Sequence, residues 1–258
     1  MHLKSDDIIR LVIEYDSGSV PAPFSHGYKL KLSFGKNFIN TQFEIRYKDR
    51  EDLSEEEILE EGFTLEDDYS FIGEVPKVWE QPLISLYSQS KWSNKKSGDL
   101  SDSIRILAKD LHGKIARTVP LNQKEWQYLA QEYIQAIYEI DQKEAPLGIK
   151  YKVVEGEGQE TDYSLTVKFS NRKVDFWVNG EAREVTWEEI KPLLSYVFLP
   201  DYNYEMATES APHKKGSYIN CGDGFWHEFG KGIVNVDNSF DAISKIHEEF
   251  TKLNQQKS

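Results

Sequence analysis

The run Cys221-Gly-Asp223-Gly-Phe-Trp-His227-Glu228, with His213 shortly before it, gathers side chains able to act as nucleophile, base or ligand. If strands flank the Gly-Asp-Gly turn, Cys221 precedes it and His227 follows it, so the two are expected as cross-strand neighbours. Such a pair does nucleophilic chemistry only when the thiol pKa is lowered and a third group orients the imidazole. Strand alternation sends Glu228 to the face opposite His227, which makes it a poor orienting group. Cys221, His227 and Asp223 are therefore the candidate catalytic residues. The plainer reading is a tight turn, a small buried cysteine and a surface histidine.

Asp175 with Glu189-Ile190-Lys191 resembles the carboxylate spacing of a metal-dependent nuclease only in part. That chemistry needs both carboxylates on one cation, whereas Glu189 reads as a helix cap. His112 falls in a turn and His247 on the polar face of the last helix. The chain contains no GxGxxG after a strand, GxxxxGK[ST], HExxH, GxSxG or CxxC pair. No cofactor and no metal are expected.

Charge points elsewhere. The net charge is −13, which argues against nucleic acid as a direct ligand, because a phosphate-backbone binder needs a basic face. A local patch at Lys91, Lys95 and Lys96 is the least favoured reading. Acidic residues crowd Asp49–Asp68, where Glu55, Glu56, Glu57, Glu60, Glu61, Glu66, Asp67 and Asp68 form a docking surface for a basic partner. The consecutive Glu66-Asp67-Asp68 lacks the alternating spacing of a Ca²⁺ loop. Trp79, Trp92, Tyr202, Tyr204 and Trp226 lie in or near expected loops; aromatic residues there suit protein contact.

The elements that must position these groups can be read in turn. Asn122–Asp141 is the strongest helix, with Trp126, Leu129, Ala130, Tyr133, Ile137 and Ile140 on one face and Gln127, Gln131, Gln135 and Glu139 toward water. Asn122 and Glu125 read as its capping box. Before it come strands at Ile8–Tyr15, Tyr28–Phe34 and Phe38–Tyr47, a short helix Glu55–Glu61 capped by Ser54 and Glu57, and a helix from Pro82. A polar loop follows at Ser93–Asp102, then a hairpin over Ser103–Val119. After it come strands at Ile149–Val154, Tyr163–Phe169 and Val174–Val178, then the Asn179-Gly180 turn. A helix capped by Thr186 and Glu189 follows, with Pro192 implying a start nearer Lys191 or a kink. The Cys221 hairpin and a helix Ser239–Leu253 complete the chain, with Phe240, Ile243, Ile246, Phe250 and Leu253 on one stripe.

Two segments repeat three strands and a capped helix: Ile8–Glu61 with Ser54-x-x-Glu57, and Ile149–Phe198 with Thr186-x-x-Glu189. The expected fold is α+β, with antiparallel meanders and hairpins covered by helices, in two similar halves, 1–145 and 146–258. The single cysteine excludes an intrachain disulfide and fits a reducing compartment. MHLKSDDIIRLVIEYD has no apolar core of a secretory signal, and no apolar run approaches a membrane span. The expectation is a non-catalytic cytoplasmic protein-interaction module: an adaptor, inhibitor or subunit of a larger assembly, contacting another protein with a basic surface. The alternative is a hydrolase or metal-dependent enzyme centred on the Cys221/His227 hairpin.

Overall fold

The structure is a computed structural model and describes residues 3–93, 103–156, 158–237 and 239–255. The chain divides into two compact units, Met1–Glu144 and Ala145–Ser258. Both are α+β with antiparallel sheets, as the alternating hydrophobic pattern requires.

In the first unit β1 (Ile8–Asp16), β2 (His26–Phe34), β3 (Phe38–Tyr47) and β4 (Tyr69–Pro76) form a meander, with α1 (Glu55–Glu60) between the last two. After α2 (Glu80–Gln89), the hairpin β5 (Ser103–Asp110) and β6 (Ile115–Thr118) returns to pair with β1, giving the order β4-β3-β2-β1-β5-β6. α3 (Gln123–Ile140) closes the unit. Successive side chains point to opposite faces of a strand, so β1–β3 send Leu11, Ile13, Leu30, Leu32, Ile39 and Phe43 into the core.

α3 meets that face with Trp126, Ala130, Tyr133 and Ile137, all fully buried. The tips of its aromatic residues find polar partners, since an unpaired buried donor is costly. The Tyr133 and Thr41 hydroxyls share a 2.6 Å hydrogen bond, and Trp126 Nε1 donates to Ser90 Oγ at 2.8 Å. Replacing Trp126 with Ala would cost about 3–5 kcal/mol, a large share of the ~5–15 kcal/mol that holds a domain folded. The expected capping box is absent at this helix: Asn122 Nδ2 donates to Glu125 Oε2 at 2.8 Å, so the two side chains satisfy each other rather than the end amides. Ser54 with Glu57 and Thr186 with Glu189 do form reciprocal boxes.

The second unit comprises β7 (Leu147–Gly156), β8 (Gln159–Lys168), β9 (Lys173–Val178), β10 (Glu181–Arg183), α4 (Trp187–Val197), β11 (Asp201–Tyr202), β12 (Gly216–Asn220), β13 (His227–Glu228), β14 (Ile233–Val234) and α5 (Ala242–Gln255). Its main sheet runs β10-β9-β8-β7-β12-β13, and β11 pairs with β14. Asn179 and Gly180 both take positive φ, 51° and 80°, at the β9–β10 turn. α4 starts at Trp187 and continues through Pro192, not from Lys191. α5 starts at Ala242, three residues later than its apolar stripe implies. Asp241 accepts the Ser244 amide at 3.0 Å and leaves Phe240 outside the helix, against Tyr196.

Both units have one connectivity: a four-strand meander, a helix, a hairpin whose first strand pairs with strand one, and a closing helix. The hairpin and closing helix thus repeat along with the strands, and the pairing of helices between the halves differs from the sequence reading. α4 corresponds to α2, because each follows the fourth strand, whereas α1 sits between strands three and four. Both fourth strands, β4 and β10, escape a reading by pattern. β4 carries Gly73, over which the Phe71 ring lies so closely that an added Cβ would come within 2.4 Å of Phe71 Cζ.

Candidate functional site

The β12–β13 register pairs Ile219 with His227 and Tyr218 with Glu228. Cys221 lies beyond the end of β12, so it is not the cross-strand neighbour of His227. His227 is buried to 1% exposure, not at the surface. The Tyr202 and Tyr204 rings meet it edge-on, with centroids 5.1 and 5.0 Å away. Its Nε2 is 3.8 Å from Asp223 Oδ2, and neither ring nitrogen is hydrogen-bonded. Asp223 is itself held by the Tyr204 hydroxyl at 2.8 Å and the Phe225 amide at 2.9 Å. The Tyr202 hydroxyl donates to Val197 O at 2.6 Å and lies against Cys221.

Burial pushes the Cys221 thiol up to about 11; Asp223 adds to the rise and Tyr202 opposes it. The group is a neutral thiol at pH 7, whereas nucleophilic attack needs the thiolate. Glu228 pairs with Lys231 at 2.6 Å, and His213 is exposed, 3.8 Å from Glu160. The fold thus gathers Cys221, Asp223, His227, Tyr202 and Tyr204 and leaves His213 and Glu228 outside. Tyr202 and Tyr204 both belong to this cluster, and Tyr204 remains 58% exposed.

Elsewhere the expected chemistry disperses. Asp175 pairs with Lys168, Glu189 accepts the Thr186 amide at 2.8 Å, and Lys191 pairs with Glu188 at 3.3 Å. Among the described residues no group of three or more His, Cys, Asp or Glu is arranged to hold a metal ion. His247 leaves the polar face: its ring packs at a tilt against Phe229, centroids 4.3 Å apart, and it shares a 2.5 Å hydrogen bond with the Tyr151 hydroxyl. Trp79 is fully buried against Tyr133, and Trp92 packs on Tyr87 and toward Trp126. Lys95, Lys96 and most of the Ser93–Asp102 loop lie outside the described residues. No helix among the described residues is long and apolar enough to cross a membrane.

The acidic segment divides by role. Asp67 accepts from Arg50 at 2.8 Å and from the Thr64 amide at 2.9 Å. Arg50 also donates to Pro23 O and Thr64 O, and its guanidinium lies 4.0 Å over the Tyr47 ring. Asp68 pairs with Arg46 at 2.9 Å and accepts the Tyr47 amide at 2.8 Å. Those hydrogen bonds with Arg46 and the Tyr47 amide hold its carboxyl below the usual range. Glu57 is consumed by the capping box. Glu55, Glu56, Glu60, Glu61 and Glu66 are left exposed beside Leu59 and Leu65, which are 54% and 63% exposed.

One feature emerges only from strand pairing. On the face of the first sheet turned away from α3, Arg10, Lys31, Lys109 and Arg117 line a hollow of about 710 Å³. Lys31 is legible in sequence as solvent-facing; its neighbours across the sheet are not. Comparison with known protein families, curated proteins and solved structures returns no match to this chain.

Proposed function

We propose that the chain is a non-catalytic protein-interaction module that presents the acidic segment of its first unit to a basic surface on another protein. The division of labour among the carboxylates carries this reading. Glu57, Asp67 and Asp68 order the segment, so its remaining carboxylates are presented at low entropic cost on binding. Glu55, Glu56, Glu60, Glu61 and Glu66 supply charge, and Leu59 and Leu65 supply apolar area. A cytoplasmic location is part of the proposal and rests on the single free cysteine.

The test is affinity purification from the source cells with the wild type and with Glu55→Lys/Glu56→Lys/Glu60→Lys/Glu61→Lys. A basic partner retained by the first and lost by the second supports the reading; an unchanged partner set sinks it. The thiol-hydrolase alternative is separated by alkylation. Cys221 is expected to react with iodoacetamide at least about tenfold more slowly than free cysteine at pH 7, given its raised pKa. A rate faster than free cysteine would restore the enzyme reading.

A further inference from the structure

The exposed face of the first sheet reverses the charge of the whole chain. Its hollow is lined by five cations, Arg10, Lys29, Lys31, Lys109 and Arg117, against two carboxylates, Glu14 and Glu74. The chain as a whole carries −13. Lys29 and Glu14 neutralise each other at 2.5 Å. Among the described residues Arg10 donates only to the Ser33 hydroxyl, at 3.1 Å, and Lys31 only to Gln42, at 3.5 Å. Among the described residues no carboxylate lies within ion-pair distance of Arg10, Lys31, Lys109 or Arg117.

Register explains how they assemble. Arg10 of β1 stands directly opposite Lys109 of β5, and Lys109 opposite Ile115 of β6. One row along, Lys31 faces Val12, Val12 faces Leu107, and Leu107 faces Arg117. Lys31 and Arg117 are thus three strand spacings apart, about 14 Å. Like charges directly opposite across a sheet are destabilising, so the Arg10–Lys109 pair carries a cost in the free chain that an anion between them would remove.

The surface between the cations is aliphatic. Val12 and Leu107 form its floor, and Ile72 and Ile115 stand at opposite rims, 83% and 58% exposed. Among the described residues no aromatic side chain lines the hollow, whereas sheet surfaces that take single-stranded nucleic acid stack bases on aromatic rings. Aliphatic side chains of a polypeptide fit between these cations; bare phosphodiester does not use them.

We infer that this sheet face is a second binding surface, independent of the acidic segment, and that its ligand is an acidic polypeptide segment carrying apolar side chains. Carboxylates engage Arg10, Lys31, Lys109 and Arg117, while apolar side chains cover Val12, Leu107, Ile72 and Ile115.

The test is fluorescence anisotropy of a fluorescein-labelled peptide of alternating Glu and Leu, titrated with the full chain. Saturable binding is expected at low ionic strength, weakening by about tenfold or more at moderate salt as the Debye length shortens. Lys31→Glu/Arg117→Glu should lose at least as much, with circular dichroism confirming an intact fold. Arg10→Gln is the second variant: it removes the repulsion with Lys109, so it should weaken peptide binding while Tm stays level or rises. Absence of saturable binding, binding by both variants equal to that of the wild type, or tighter binding of an oligothymidylate of matched charge than of the peptide overturns the inference.

Discussion

On the face of the first sheet turned from α3, Arg10 and Lys109 oppose each other, with no carboxylate at ion-pair distance among the described residues. In the second sheet, on the face turned from α5, Lys152 of β7 lies between Glu160 at 2.5 Å and Asp162 at 3.4 Å. β1 and β7 hold the same place in their sheets. The register decides the difference: Asp162 is the direct cross-strand partner of Lys152, while Lys31 faces Gln42 and Val12. Lys152 is consequently buried and Lys31 exposed. The second unit thus pairs Lys152 within its sheet, while in the first only Lys29 is paired across the sheet, with Glu14, and Arg10, Lys31, Lys109 and Arg117 are left available. Paired charge serves the fold, and unpaired charge is what a ligand can use.

The largest way to break this contrast is Lys152→Ala. It removes a buried cation and its packed stem and strands two carboxylates, which retain partial access to water. We expect a loss of about 2 kcal/mol in urea unfolding at neutral pH, against under about 0.5 kcal/mol for Lys31→Ala. Equal losses would erase the distinction between the faces.

The pH dependence sharpens it. The Glu160 hydrogen bond, followed by the charge and hydrogen bond of Asp162, raises the Lys152 pKa, and the Lys152 hydrogen bond lowers that of Glu160. A depressed carboxylate contributes stability above its unfolded value, near 4.5, and loses it as pH falls through the folded value. A raised lysine contributes fully below 10.5 and loses its contribution as pH rises through the folded value. The stability difference between wild type and Lys152→Ala should therefore be widest between those limits and shrink on acidification. A difference that stays constant down to pH 2 would count against the ion pair.

Smaller effects go the other way in the first unit. Arg10→Glu turns a like-charge pair into an opposite one and should stabilise by about 0.5–1 kcal/mol, raising Tm by roughly 2–4 °C. A fall in Tm would mean that another group already compensates Arg10. Smallest is salt: added NaCl should slow hydrogen exchange of β1 and β5 amides relative to those of β7 and β8 by a few tenths of a kcal/mol. It screens repulsion in the first sheet and attraction in the second.

Much of this architecture is legible in the residues themselves. Alternation in YKLKLSF and YSLTVKF, the boxes Ser54-x-x-Glu57 and Thr186-x-x-Glu189, and Asn179-Gly180 specify strands, helix starts and a turn. Each does so because the signal and the structure it sets lie within a few residues. The edge strands β4 and β10 were less visible. They pair on one side only, and their stability comes from a neighbour rather than from their own composition. Cys221 and His227 show the same limit: their types announce chemistry, but burial against Tyr202 and the Ile219–His227 register decide their state.

The sequence by itself therefore determined the α+β class, most elements and the acidic segment, through short-range periodicity and capping. Only the tertiary structure decided which charges meet. Arg10, Lys31, Lys109 and Arg117 become neighbours through the pairing of four strands, and Lys152 finds Glu160 and Asp162 through the pairing of two. Coulomb interactions depend on distance in space, and hydrogen-bonded register sets that distance, not separation along the chain.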